Sequence, residues 1–309
     1  MTDPGSADRL SAELARLDTE APRPGVRLEE LDIKQLVAAQ LEQDRGVSAA
    51  VEAAAPQITA ALEVIVERLE TGGRLLYAGA GTPGRFAVLD AAECLPTFGA
   101  GPETVLAIMA GGERALTRAV EGAEDDADQG ARDMHMAQVS ERDVCVVISA
   151  SGRTPYVLGA AAAAKQVGAA TVGIVNNAGT AVADAVDLPI EVLTGPEFVT
   201  GSTRLKAGTA QKLVLNMLST IAMIRLGKVH GTLMVDVVAT NAKLQRRALR
   251  IVTETTGTDD ATAAAVLAAC DGNAKSAIAS VLLDIPAEEA VRRLAAVGGH
   301  LARVLSGGE

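Results

Sequence analysis

The spacing of apolar residues divides this chain into a helical beginning, an alternating middle and a helical end. From Leu31 to Leu69 the apolar positions recur at helical spacing, and Gly72 and Gly73 end that pattern. The middle contains short apolar runs without alternation, at 75–78, 104–109, 143–149, 170–175 and 188–193. Helical patterns separate these runs, at about 84–94, 113–138 and 154–167. Unalternating runs are typical of buried strands, and their alternation with helices predicts an α/β fold with a parallel sheet.

After Gly201 the pattern is wholly helical. Long helices are predicted over 206–226 and 233–255, and short Ala-rich helices over 259–306. We predict three parts: a flexible N-terminal lead-in over 1–27, an α/β domain over 28–240, and a C-terminal helical region over 241–309.

Composition excludes several classes of function. The 309 residues include 28 basic and 39 acidic ones, a net charge of −11, which argues against a nucleic-acid or anionic-membrane surface. With no Trp, two Tyr and three Phe, a ligand platform of stacked aromatic rings is not expected. Three distant cysteines and three histidines show no disulfide or zinc spacing. Without a secretory signal or membrane-spanning run, we expect a cytoplasmic protein.

Two glycine-rich loops follow predicted strands. The first loop, GAGTPG at 79–84, fits G-x-G-x-x-G, which leaves three alternatives: dinucleotide binding, a monophosphate site, or a tight turn. Glu113, the nearest acidic candidate for a ribose, lies 29 residues beyond Gly84, which counts against a dinucleotide. The second loop, SASGRTP at 149–155, adds hydroxyl groups and another helix start. Together the loops favour one small phosphorylated ligand.

Five long motifs closely resemble one family. They are GAGTPGRFAVLDAAECLPTFG (79–99), AGGERALTRAVEGAEDD (110–126), SASGRTPYVLGA (149–160), TGSTRLKAGTAQKLVLNMLST (200–220) and GKVHGTLMVDVVATNAKL (227–244). The sequence resembles the N-acetylmuramic acid 6-phosphate etherases from about residue 27 to its end. The resemblance implies a SIS-type three-layer parallel sheet flanked by helices over 28–240, and a small UBA-like helical bundle within 241–309.

The resemblance also implies an activity. Family members are lyases of cell-wall amino-sugar recycling that remove the D-lactyl ether of their substrate, giving N-acetylglucosamine 6-phosphate and D-lactate without a cofactor or metal. The reaction needs two proton-transfer groups, and the family's motifs place the catalytic carboxylates on Glu93 and Glu124. The substrate- and phosphate-binding residues predicted from the loops and the resemblance are Gly81, Thr82, Gly84, Arg85, Ser149, Ser151, Gly152, Arg153, Thr154, Ser202 and Lys206.

Glu93 and Glu124 have different sequence surroundings. Glu93 has apolar neighbours, which would favour its protonated form if it were buried. A straight helix from Gly84 would place Glu93 about 13 Å from the phosphate-binding end. Either the helix bends or ends early, or Glu93 faces a site completed by a second subunit of the homodimer that the family implies. Glu124 lies among other acidic residues. Ser202 or Thr203 is expected to cap the helix that begins near Lys206.

Departures from the family leave alternatives open. Pro83 stands where the family has Ser, and His230 and Thr232 replace an aromatic residue and Asn, which puts substrate affinity in doubt. The main alternative is a regulatory protein that binds a sugar phosphate without converting it, like the glucokinase regulatory proteins. A sugar-phosphate isomerase or a Rossmann-type oxidoreductase is a third reading, for which neither a ring-opening base nor a ribose-binding acid is evident.

Overall fold

Five strands form one sheet in the order β2-β1-β3-β4-β5 in the computed structural model, which describes residues 16–239 and 241–307. The strands are β1 Leu75–Gly79, β2 Val105–Met109, β3 Val144–Ser149, β4 Ala170–Val175 and β5 Leu188–Glu191. The pairs β1–β3, β3–β4 and β4–β5 are parallel. Every residue of β1 and β3 is buried, because these runs are apolar on both faces of the sheet. The predicted α/β fold with a parallel sheet is confirmed.

Helices connect the strands and form the end of the chain. They are α1 Ile33–Asp44, α2 Gly46–Ala53, α3 Ala55–Glu70, α4 Gly81–Phe98, α5 Arg114–Thr117, α6 Ala127–Met136, α7 Pro155–Gln166, α8 Ala181–Ala185, α9 Lys206–Arg225, α10 Ala242–Thr256, α11 Asp260–Ala269, α12 Ala274–Leu283, α13 Ala287–Ala296 and α14 Leu301–Leu305. Side chains of Asn241, Asp259 and Asn273 cap α10, α11 and α12. Among the described residues, no single helix is long and apolar enough to span a membrane. Two bent pairs of helices meet these length and composition criteria when each pair is taken together.

Two predicted helices have wrong bounds. The segment 113–138 is not one helix: α5 and α6 are separated by a connection that contains a 3₁₀ turn, Ala123–Asp125. The Asp126 side chain accepts a hydrogen bond from the Gln129 N–H (2.8 Å), and this N-cap starts α6 as a separate helix. The helix predicted over 233–255 begins only at Ala242, because Asn241 is its cap.

The chain divides into two compact units, and the division falls within α4 and within α9. The first unit is Met1–Asp90 with Leu106–Leu218, and the second is Ala91–Val105 with Ser219–Glu309. The sequence-based boundary at residue 240 differs from this division and stays a prediction. In the first unit, Met134 and Tyr156 join α6 and α7 to the buried face of the sheet.

The second unit has its own apolar core. Buried side chains from α10 to α14 form it, among them Leu244, Ile251, Ile278 and Leu301. Lys275 is buried beside this core and donates hydrogen bonds to Asp236 Oδ2 (2.5 Å) and the Gly299 carbonyl oxygen (2.8 Å). Helices α10 to α14 pack around this core, and the UBA-like helical bundle expected here stays a prediction.

The N-terminal lead-in predicted over 1–27 is described only from residue 16 onward. A 3₁₀ turn, Asp18–Glu20, lies in this part, and its central residue Thr19 is fully buried. This turn is therefore packed into the first unit.

Candidate functional site

The order of the strands reverses between β1 and β3, which creates a crevice at their carboxyl ends. Gly79 is in register with Ile148, so the first loop and the second loop begin side by side. The Ala110 N–H donates to the Gly79 carbonyl oxygen over 3.0 Å, which brings the loop after β2 to the same place. Three loops therefore meet where open α/β sheets bind their ligands.

The first loop packs closely against β1. A Cβ atom on Gly84 would lie 2.7 Å from the Gly79 carbonyl oxygen and 2.9 Å from Met109 Cγ. The structure thus gives Gly84 a packing role. Gly81 and Thr82 belong to the first turn of α4, where N–H groups have no partner within the helix, whereas Pro83 has no N–H to offer.

The second loop is organised by Ser149. Its buried hydroxyl lies 2.8 Å from Thr154 Oγ1 and 3.4 Å from Ser151 Oγ, and it accepts a hydrogen bond from the Gly152 N–H (3.0 Å). Ser149 is therefore used within the loop, while the half-buried Ser151, Arg153 and Thr154 lie further toward solvent. This hydroxyl network fixes the shape of the second loop.

Glu124 lies at a cavity that also reaches the first loop. The cavity has a volume of about 270 Å³, and its lining includes Gly81, Arg85, Glu121 and Glu124. Arg85 Nε donates to the Leu116 carbonyl oxygen (3.2 Å), which holds the guanidinium group against α5. Three predicted site residues, one cationic and one anionic among them, thus share one concave surface.

The start of α9 is capped by a buried carboxylate. Glu197 is fully buried and accepts hydrogen bonds from the Lys206 N–H (3.0 Å) and the Ala207 N–H (2.9 Å). The expected cap by Ser202 or Thr203 is therefore wrong. The start of α9 lies next to the first loop, because a Cβ atom on Gly208 would lie 3.3 Å from Thr82 Cγ2.

Lys206 has protein partners for its ammonium group. The Nζ atom donates to the Thr194 carbonyl oxygen (2.9 Å), and the residue is buried. Burial lowers the pKa of Lys206, with a smaller opposing effect from the Glu197 carboxylate. A phosphate contact from Lys206 would need this ammonium group to be shared, and such a contact stays a prediction.

Comparison with known proteins assigns the chain to a family. The SIS domain model matches residues 119–221, and the model of the glucokinase regulatory protein N-terminal SIS domain matches residues 57–165. An N-acetylmuramic acid 6-phosphate etherase from Deinococcus radiodurans is 50% identical over 309 residues, which cover 100% of this chain and 98% of the relative. The chain belongs to the N-acetylmuramic acid 6-phosphate etherase family.

A second etherase relative agrees with this assignment. An etherase of the same name from Mycolicibacterium smegmatis is 50% identical over 297 residues, which cover 96% of this chain and 100% of that relative. Among solved structures, a phosphoheptose isomerase from Neisseria gonorrhoeae is 19% identical, with a TM-score of 0.49, and covers 62% of this chain and 98% of that one. In the described part of this etherase-family chain, no group of three or more His, Cys, Asp or Glu side chains is arranged to hold a metal ion.

The other glutamate of the etherase motifs, Glu93, lies on α4 within the second unit. It is exposed, and so are Ala92 and Leu95 beside it, so these neighbours do not enclose its carboxylate within one chain. The helix is continuous to Phe98, so the early helix end considered from the sequence does not occur.

Sequence reasoning about the etherase motifs missed three polar residues at this site. Glu197 lies nine residues before the N–H group that it caps, and Thr19 and Asn177 contact each other from 158 residues apart. A signal existed for Asn177 alone: it follows the apolar run of β4, as Ser151 follows that of β3. Residues after parallel strands meet at one edge of the sheet.

Proposed function

We propose that this protein is an N-acetylmuramic acid 6-phosphate etherase, which cleaves the D-lactyl ether of its substrate and releases N-acetylglucosamine 6-phosphate and D-lactate. The observation that carries this proposal is the identity of 50% across the whole chain to relatives of that name. The convergence of the first loop, Arg85 and Glu124 at one cavity supports it, because a sugar phosphate needs an anion site beside a proton-transfer group.

The reaction we propose is an elimination followed by addition of water. Opening of the sugar ring exposes an aldehyde at C1, which acidifies the hydrogen on C2. One carboxylate removes that proton, a carboxylic acid protonates the departing lactate oxygen at C3, and water then adds at C3. In sum, one water molecule is consumed and one lactate is released. We assign protonation of the leaving oxygen to Glu93 and the partner acid–base role to Glu124.

We place the substrate phosphate at the two glycine-rich loops. The N–H groups of the first turn of α4 and the hydroxyl groups of Ser151 and Thr154 are donors suited to phosphate oxygens. We assign hydroxyl contacts with the phosphate also to Thr82 and Ser202, and positive charge near it to Arg85 and Arg153. In this arrangement Ser149 and Gly152 shape the second loop rather than bind the phosphate directly.

We infer that the enzyme is a homodimer whose site lies near the subunit interface. Helix α1 buries none of its residues within the chain, and its side chains Ile33, Val37 and Leu41 are 81%, 56% and 57% exposed. They recur every four residues and form one apolar stripe, which a second copy of α1 would cover in a self-complementary contact. Glu93 is exposed, so a second subunit near it would also complete the site.

We also propose a cytoplasmic location. Cys145 and Cys270 are free thiols and are buried, and burial raises the pKa of the Cys145 thiol to about 12. Free thiols are typical of proteins that work in a reducing compartment.

The decisive experiment measures D-lactate release from N-acetylmuramic acid 6-phosphate by wild type, Glu93→Gln and Glu124→Gln, with Glu63→Gln as an exposed-carboxylate control on α3. Each catalytic variant should lose about 10²- to 10⁴-fold in rate, because a positioned proton-transfer group supplies that much. In labelled water, deuterium should enter C2 and ¹⁸O should enter the C3 hydroxyl group of the sugar product.

Wild-type rates in both variants, or ¹⁸O found only in lactate, would contradict the elimination. Binding of the sugar phosphate without any release of D-lactate would instead favour the regulatory reading. The match to the glucokinase regulatory protein N-terminal SIS domain makes that reading the second candidate.

A further inference from the structure

The N-terminal 3₁₀ turn is anchored to the carboxyl edge of the sheet. The Thr19 N–H donates to Asn177 Oδ1 over 3.2 Å, and Asn177 Nδ2 donates to Thr19 Oγ1 over 3.0 Å. The same Nδ2 group donates to the Ala150 carbonyl oxygen over 2.9 Å. Thr19 and Asn177 are both buried. The turn is therefore attached to the residue that directly precedes Ser151.

A second anchor joins the turn to the segment before α9. The Gly201 N–H donates to the Thr19 carbonyl oxygen over 3.2 Å. Gly201 directly precedes Ser202, which is another hydroxyl residue predicted to bind substrate. The turn thus lies between two segments that the proposed function assigns to the substrate.

The next residue, Glu20, presents its carboxylate to this place. A Cβ atom on Gly201 would lie 2.5 Å from Glu20 Oε2, so the carboxylate occupies space that a side chain on Gly201 would fill. Gly201 has a φ of +73°, a conformation that other residues adopt only with strain. Among residues 16–239 and 241–307, no group donates a hydrogen bond to the Glu20 carboxylate, and the residue is half-buried.

We propose that Glu20 is a substrate-binding residue whose carboxylate accepts hydrogen bonds from neutral O–H or N–H groups of the bound sugar phosphate. This inference rests on the proposed function, and it deepens it by adding a recognition residue outside the glycine-rich loops. Hydrogen bonds to an ionised acceptor are stronger than those between neutral groups. A ligand with O–H or N–H donors therefore binds favourably beside a half-buried carboxylate that has no donor.

The charges of the substrate determine which of its groups Glu20 contacts. The phosphate and the lactyl carboxylate are both anionic, and an anionic side chain beside either would weaken binding. The hydroxyl groups of the sugar and the N–H of its acetamido group are neutral donors. Glu20 therefore contacts the sugar itself. A sugar phosphate that lacks a donor at the contacted position would leave the carboxylate unpaired, so Glu20 discriminates against it.

The test compares Glu20→Gln with wild type, and uses Glu63→Gln as a matched control in which an exposed carboxylate is neutralised on α3. Calorimetry measures the affinity for N-acetylglucosamine 6-phosphate and, separately, for inorganic phosphate. We expect Glu20→Gln to weaken binding of the sugar phosphate by about 10- to 100-fold, the loss of hydrogen bonds to a charged acceptor. Binding of inorganic phosphate should be no weaker, and the melting temperature should be unchanged.

In D-lactate assays the same variant should raise KM by a similar factor with kcat within about threefold of wild type, because the contact is made equally in the ground and transition states. Glu20→Asp, which keeps the charge on a shorter side chain, should give a smaller loss. Thr19→Ala should instead lower the melting temperature, because it removes the anchor of the turn.

Wild-type affinity of Glu20→Gln for the sugar phosphate would overturn the proposal, and so would an equal loss of affinity for inorganic phosphate. If wild type binds the sugar phosphate and releases no D-lactate, the proposed activity fails while calorimetry still decides the role of Glu20. If wild type binds no sugar phosphate, both proposals fail.

Discussion

The shape of the second loop depends on Gly152, and its replacement by alanine tests how tightly the loop is held. Gly152 has a φ of +67°, and a Cβ atom on it would lie 2.3, 2.4 and 2.6 Å from Oγ1, Cβ and Cγ2 of Thr180. Thr180 is buried, and its hydroxyl caps α8 by accepting from the Ala183 N–H (3.3 Å). The substitution therefore adds a steric conflict to the cost of a left-handed backbone conformation.

Gly179→Ala is the matched control, because Gly179 has a φ of +61° but open space around its Cβ position. In both variants the left-handed conformation lowers the free energy of unfolding by about 1–2 kcal/mol. Alanine also makes the unfolded chain less flexible than glycine does, which raises the free energy of unfolding by about 0.4–1 kcal/mol. Gly152→Ala adds about 1–3 kcal/mol of overpacking and about 1 kcal/mol for a displaced cap. The free energy of unfolding should thus fall by about 1 kcal/mol in Gly179→Ala and by about 3–5 kcal/mol in Gly152→Ala.

Urea unfolding followed by tyrosine fluorescence measures this difference in the first unit alone. The protein has no Trp and only two Tyr, and both, Tyr77 and Tyr156, are buried in that unit. In native conditions, Gly152→Ala should also raise KM for the sugar phosphate, because Ser151 is displaced with the loop. Equal losses of stability in the two variants, within about 0.5 kcal/mol, would refute the steric argument.

Two further predictions concern pH and assembly. Burial alone would raise the pKa of Asp143, but hydrogen bonds from Arg74 and Ser140 outweigh it and hold the pKa below its ordinary 3.8. The stabilising contribution of the Asp143 carboxylate is therefore complete above about pH 3.8 and disappears as the pH falls through the folded-state pKa. In Asp143→Asn, the urea concentration at the midpoint of unfolding should therefore fall less steeply between about pH 5 and pH 2 than in wild type. Val37→Glu should convert the proposed dimer to a monomer by light scattering, whereas Lys34→Glu on the same helix should not; a Val37→Glu variant that stays dimeric would exclude the α1 stripe as the interface.

The sheet could be predicted from the sequence because its signal is local. Each central strand is a run of apolar residues buried on both faces, and the runs at 143–149 and 170–175 agree with β3 and β4 to within one residue. The two glycine-rich loops were predicted for the same reason, since a strand, a glycine loop and a helix follow one another directly in the chain.

The polar contacts that position the site could not be predicted in this way. Glu197 was missed because a cap is normally sought in the residue before the helix, and nothing in the sequence marks a buried carboxylate nine positions upstream. The connection between α5 and α6 was predicted as helix because its charged residues are compatible with an exposed helical face. The exposure of Glu93 was not predicted either, because apolar neighbours along the chain need not surround a side chain in space.

The anchoring of the N-terminal turn has a consequence for the order in which the protein is made. Thr19 is synthesised 158 residues before its partner Asn177, and Gly201 follows later still. Domains fold during synthesis from the N-terminal side, but a contact between distant residues must wait for the second residue. The contact with Asn177 thus has to wait until β4 has been made, and the contact with Gly201 until all five strands exist, so the turn Asp18–Glu20 gains its second anchor only after β5.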